Sequence, residues 1–96
     1  MVQLLNMKRE EVEKKYQSLG LETKYITDQP NTIHKPDKDI RMTFYTLAGS
    51  IKVKIEDGDW QEYHSGDEFV VEDGQLHEAQ AGPEGWEYIV AWATKS

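Results

Sequence analysis

The chain contains no cysteine. Disulfides, thiolate metal sites and cysteine nucleophiles are therefore excluded, and the composition suits a reducing compartment. It also lacks any apolar run near the ~20 residues that a membrane helix needs. Residues Met1 to Asn6 carry neither the basic region nor the long apolar core of a secretory signal. These absences lead to the expectation of a soluble, cytoplasmic protein. Positive charge is scarce as well: eleven Lys and Arg stand against eighteen Asp and Glu, for a net charge of -7. Nucleic acid and anionic membranes are disfavoured as partners, because both are bound through basic faces.

Apolar residues make up only 38 % of the 96 residues, yet three Trp, five Tyr and two Phe are among them. A few large aromatics can fill a small barrel, so the low fraction does not signal disorder. The length is enough for one domain, residues 1–96, burying roughly 65 % of the surface its unfolded chain exposes.

The N-terminal segment reads as one helix over residues 7–19, with Asn6 as N-cap and Gly20 as the stop. Glu10 with Lys14 and Glu11 with Lys15 form i,i+4 pairs in the favourable orientation. The apolar stripe is thin, consisting of Val12, Tyr16 and Leu19, so the helix must lean on a sheet or on a partner chain. From about residue 21 to 93 the pattern is β. Leu21 to Thr27 reads as a strand, and the proline- and aspartate-rich residues 28–39 as a loop. Met42 to Leu47 follows as a strand broken at Ala48-Gly49, then Ile51, Val53 and Ile55 alternate with polar residues. Asp57-Gly58 is a two-residue hairpin signal, and residues 60–63 return. Turns at His64 to Asp67, Asp73-Gly74 and Gly82 to Gly85 separate strands at residues 68–71, 77–81 and 86–93. Short turns throughout argue for an antiparallel sandwich or barrel.

Two segments carry a resemblance. Gly66, Gly74 and His77 fall at the spacings of the pattern G-x5-P-x-G-x2-H-x3-N, with Glu72 at its proline and Ala81 at its asparagine. Upstream, Gly49 suits the closing glycine of G-x5-H-x-H-x3–4-E-x6-G, and His34 its first histidine. Pro36 stands at the second histidine, Met42 at the glutamate and Asp28 at the opening glycine. In these positions the chain resembles the cupin superfamily, and specifically RmlC-like proteins. The resemblance implies an all-β antiparallel jelly-roll barrel of two facing sheets with one short N-terminal helix, and a homodimer.

Cupin metals are commonly held by three imidazoles and a carboxylate. The resemblance therefore implies His34 and His77 as metal ligands, with two of four ligand positions lost and Asp37 or Asp39 as replacement oxygens. Pro36 has no donor atom, and the Met42 thioether is a poor ligand for hard divalent ions. His77 should face the barrel interior with Ala79 and Ala81. Arg41, Met42, Phe44 and His77 form the expected ligand pocket; an inward Arg41 could clamp a carboxylate or phosphate, whereas an outward one, the favoured reading, pairs with surface acid. Trp60, Trp86 and Trp92 are expected as core or interface aromatics.

Three readings stay open. The first is a small-molecule-binding barrel with a reduced or absent metal site. The second is a metal-dependent oxygenase or isomerase using His34, His77 and a loop aspartate. The third is a dimeric regulatory or interaction module with a vestigial pocket. No serine nucleophile constellation or phosphate-cradling glycine loop is present. Whether the chain is an enzyme, and which ligand or metal it takes, the sequence leaves undecided.

Overall fold

The structure, a computed structural model, describes residues 7–94. One helix, α1 (Arg9–Ser18), precedes six strands: β1 (Leu21–Asp28), β2 (Ile33–Asp37), β3 (Met42–Ile55), β4 (Gln61–His64), β5 (Glu68–Val71) and β6 (His77–Ala93). Strands β3 and β6 pair antiparallel along their length, from Thr43 opposite Ala91 to Ile55 opposite His77. The first half of β3 also pairs with β5, and its second half with β4. Likewise β6 pairs first with β2 and then with β1. Two half-sheets result, β1-β6-β3-β5 and β2-β6-β3-β4, joined through the two long strands. They close on each other: Tyr63 of β4 stacks on Phe69 of β5 with ring centroids 4.4 Å apart. This is the expected jelly-roll barrel.

The joint between the half-sheets corrects the sequence reading. Ala48-Gly49 does not end a strand, and Gly82 to Gly85 is not a turn, because β3 and β6 stay paired on both sides of these residues. Register shifts beside Ala48 and Gly49 bend the ladder instead. Gly49 and Gly85 take φ values of 75° and 86°. A Cβ on Gly49 would lie 2.1 Å from the Gly85 carbonyl oxygen, and one on Gly85 would lie 2.7 Å from that of Asp28. Three strands therefore cross at a distance that only glycine permits.

Residues 28–39 are likewise not one loop. Ile33–Asp37 forms β2, an edge strand whose ladder shifts register between His34 and Asp37. Pro36 falls within that shift, where its missing N–H leaves no ladder bond broken. The Asp57-Gly58 turn is longer than two residues. Glu56 adopts a φ of 52° and Gly58 N donates to Ile55 O at 3.0 Å, so β4 begins only at Gln61.

The expected cap Asn6 lies outside the described residues. The helix begins two residues later than expected, with Lys8 as N-cap, and the Glu11 carboxylate accepts from Lys8 N at 2.9 Å. Glu11 is thereby drawn to the helix start, while Lys15 pairs with Glu68 at 3.5 Å. The i,i+4 ion pair that forms is Arg9 with Glu13, at 3.2 Å.

The described residues form two cores, one on each side of the β6 sheet. Outside the barrel, Val12 and Tyr16 of the helix pack on Tyr45, Ile89 and Ala91. The Tyr16 hydroxyl donates to Glu68 at the start of β5, and the Tyr45 hydroxyl accepts from Met7 N at 3.0 Å. The helix therefore leans on its own barrel, and Leu19 is left exposed. Inside, Ile51, Val53, Phe69, Val71, Ala81, Trp86, Tyr88 and Val90 form the second core.

Candidate functional site

The interior core does not close. Strands β2, β3 and β6, with β5 opposite, enclose a cavity of about 550 Å³ that opens to solvent. Alternation along each strand decides what faces it. On β6, His77, Ala79, Trp86, Tyr88 and Val90 line the cavity. Met42 and Phe44 of β3 line it too, as do His34 and Asp37 of β2. His34 sits opposite Ala79, and Asp37 opposite His77. The register shift between them lets two residues an odd number apart point the same way. Asp39 and Lys35 complete the rim.

The walls are largely aromatic. Phe44 stacks on Phe69 with centroids 4.9 Å apart, and Trp86 stacks on both Phe69 and Tyr88. The indole of Trp86 donates to Thr46 Oγ1 at 3.0 Å, which satisfies it inside the barrel. His34 meets Trp86 edge-on, with an interplanar angle of 83°.

His34 and His77 share the cavity wall, but no third metal-ligating side chain is grouped with them among the described residues. His34 Nε2 lies 2.6 Å from Asp28 Oδ2, and the Asp28 side chain is only 10 % exposed. His77 Nδ1 lies 3.2 Å from Gln75 O. Asp37 and Asp39 each accept from the next backbone N–H, at 2.8 and 2.9 Å. Among the described residues, no three His, Cys, Asp or Glu groups are placed to hold a metal ion. The donor set expected from His34, His77 and a loop aspartate is therefore not assembled, and it does not fit the three-imidazole-and-carboxylate arrangement.

Arg41 departs from the expected pocket. It is exposed and its Nε donates to Glu72 at 2.9 Å. Met42 and Phe44 face the interior, so the next residue along a strand from either faces the other way. Trp86 is a core aromatic, Trp92 is partly buried against the interior core, and Trp60 is about half exposed.

Two residues the sequence did not single out prove central to the wall. Asp28, read as a loop residue standing at the motif's opening glycine, ends β1 opposite Trp86 and holds His34. Tyr88 is 5 % exposed and lines the cavity. Burial raises its pKa above the ordinary tyrosine value, and the nearby Asp28 carboxylate raises it further. The phenol is thus held neutral, with its proton available to donate. Its hydroxyl makes no hydrogen bond to any described residue.

No protein-family model matches this chain, and no match is found among curated proteins. Solved structures do match. The cupin domain of Schizosaccharomyces pombe Cnp3 superposes with a TM-score of 0.71 at 16 % identity, covering 79 % of this chain and 57 % of that one. An RmlC-like cupin of Methanocaldococcus jannaschii with a double-stranded β-helix fold gives 0.69 at 15 %, covering 76 % and 69 %. Bacillus subtilis oxalate decarboxylase, with Mn(II) centres, gives 0.71 at 24 %, covering 80 % of this chain and 22 % of that one. The chain has the cupin fold, and it spans a little over half of the Cnp3 domain's chain and about a fifth of the decarboxylase.

Proposed function

We propose that this barrel binds a small organic molecule in its interior, through aromatic walls and a polar rim rather than through a resident metal. The cavity of about 550 Å³ carries the reading, because it lies in the range of small-molecule sites. A barrel of this size whose interior had become vestigial would be packed shut, and this one is open. The metal-dependent reading has less support, since no three metal-ligating side chains are grouped among the described residues.

Binding of ethylbenzene, a neutral aromatic probe, tests the proposal by ligand-observed NMR and calorimetry. Ala79 lies on the cavity wall opposite His34, so Ala79→Phe should fill the space. The wild type should bind the probe and the variant should not. No binding by the wild type, or equal binding by both, would reject the proposal.

A homodimer is the assembly this reading carries with it. Strands β1, β2, β4 and β5 each pair on one side only, and Ile33 on β2 is exposed. Sedimentation at micromolar concentration tests it, and a monomer there would overturn it.

A further inference from the structure

The polar groups of the cavity wall differ in one respect. His34 has Asp28, His77 has Gln75 O, and Asp37 and Asp39 have backbone N–H partners. The Trp86 indole has Thr46. The Tyr88 hydroxyl has no partner among the described residues, although the residue is only 5 % exposed. Buried hydroxyls are rarely left without a partner, and exceptions call for an explanation. Among the described residues no fully buried side-chain polar atom is left unpaired, so this oxygen keeps some accessibility, and the cavity is the space that Tyr88 lines.

We infer that Tyr88 is the anchoring hydrogen-bond donor for an uncharged aromatic ligand that carries a carbonyl-type oxygen. This rests on the cavity-binding proposal above. The stacked walls of Phe44, Phe69 and Trp86 favour a flat apolar ring. The oxygen must be neutral because carboxylates outnumber the fixed cation on this wall. Asp28 lies beside Tyr88, and Asp37 and Asp39 stand at the rim, opposed by Lys35 and two histidines. Arg41, the cation that could have neutralised a carboxylate, is on the outside. A carboxylate ligand would meet excess negative charge and no guanidinium, whereas a ketone oxygen accepts from Tyr88 without that repulsion.

Three probes of one shape separate the possibilities: acetophenone, ethylbenzene and benzoate. Calorimetric titration of the wild-type chain should show acetophenone binding more tightly than ethylbenzene. Benzoate should bind at least about 10-fold more weakly than acetophenone. In Tyr88→Phe, acetophenone should lose about 5- to 10-fold in affinity, the worth of one neutral hydrogen bond, while ethylbenzene changes less than about 2-fold. Unchanged acetophenone affinity in the variant, or tighter binding of benzoate, would overturn the inference and leave cavity binding standing. Failure of all three probes on the wild type would overturn both. A second readout needs no variant. With tyrosine ring-13C labelling, acetophenone should shift the Tyr88 Cζ resonance and ethylbenzene should not; equal shifts would count against the donor role.

Discussion

Strand β6 carries two buried surfaces that differ in kind. Its outward residues Ile89 and Ala91 are sealed under the helix by Val12 and Tyr16, while its inward residues Trp86, Tyr88 and Val90 wall a space that no side chain fills. Two tyrosines make the contrast sharp. Tyr16 is 2 % exposed and donates to Glu68; Tyr88 is 5 % exposed and donates to no described residue. A buried polar group with its partner stabilises the fold, whereas one that faces an open cavity contributes little to it. The outer core therefore reads as structure, and the inner one as a partly open site.

The contrast depends on the bend that makes an inside at all. Gly49→Val should give the largest effect, since a side chain there meets the Gly85 carbonyl at a positive φ. A loss of more than about 4 kcal/mol, enough to remove cooperative unfolding, is expected by calorimetry. Next, Tyr16→Ala should cost about 3–5 kcal/mol in urea unfolding, because it opens a void in a closed core. Phe44→Ala should cost roughly half as much, because Phe44 already borders empty space.

Alkaline pH should act on both cores. Burial raises the pKa of Tyr16 and of Tyr88, with Glu68 adding to the first and Asp28 to the second. Above about pH 10 the unfolded tyrosines release protons that the folded ones retain. The folded state then binds more protons, so stability is full below about pH 10 and falls as pH rises, by up to about 1.4 kcal/mol per unit for each group. Tyrosinate absorbance recorded alongside unfolding checks this. The tyrosinate absorbance of Tyr16 and Tyr88 should appear with unfolding and not before it.

The smallest effect is expected outside both cores. Arg41→Ala breaks an exposed pair with Glu72, so it should change stability by less than about 0.5 kcal/mol and leave ethylbenzene binding unaltered. A marked loss of binding would return Arg41 to the pocket.

The sequence disclosed the barrel and part of its wall. Alternation at Ile51, Val53 and Ile55 and the placement of Gly66, Gly74 and His77 were legible because each follows a short-range rule. The bends at Gly49 and Gly85 were not, since glycine marks a bend and a reversal with the same letter. Whether pairing continues past it is a long-range fact. Strand β2 was hidden by Pro36 and its aspartates, which an edge strand tolerates. Tyr88 was invisible for another reason. In Trp86, Tyr88, Ile89, Val90 and Ala91 both faces are apolar, so alternation could not say which side met the helix and which the cavity. The outward turn of Arg41 depends on the same choice of face one strand away. Asp28 acquires its role only through β2 folding back to bring His34 against it.

The most direct test of this division is urea unfolding of Tyr16→Phe and Tyr88→Phe, each with and without acetophenone. Tyr16→Phe should lose about 1 kcal/mol and keep the ligand-dependent gain in stability. Tyr88→Phe should lie within about 0.5 kcal/mol of the wild type and lose most of that gain. Equal destabilisation by the two substitutions, with the acetophenone gain intact in both, would show that Tyr88 is as structural as Tyr16 and would contradict the account.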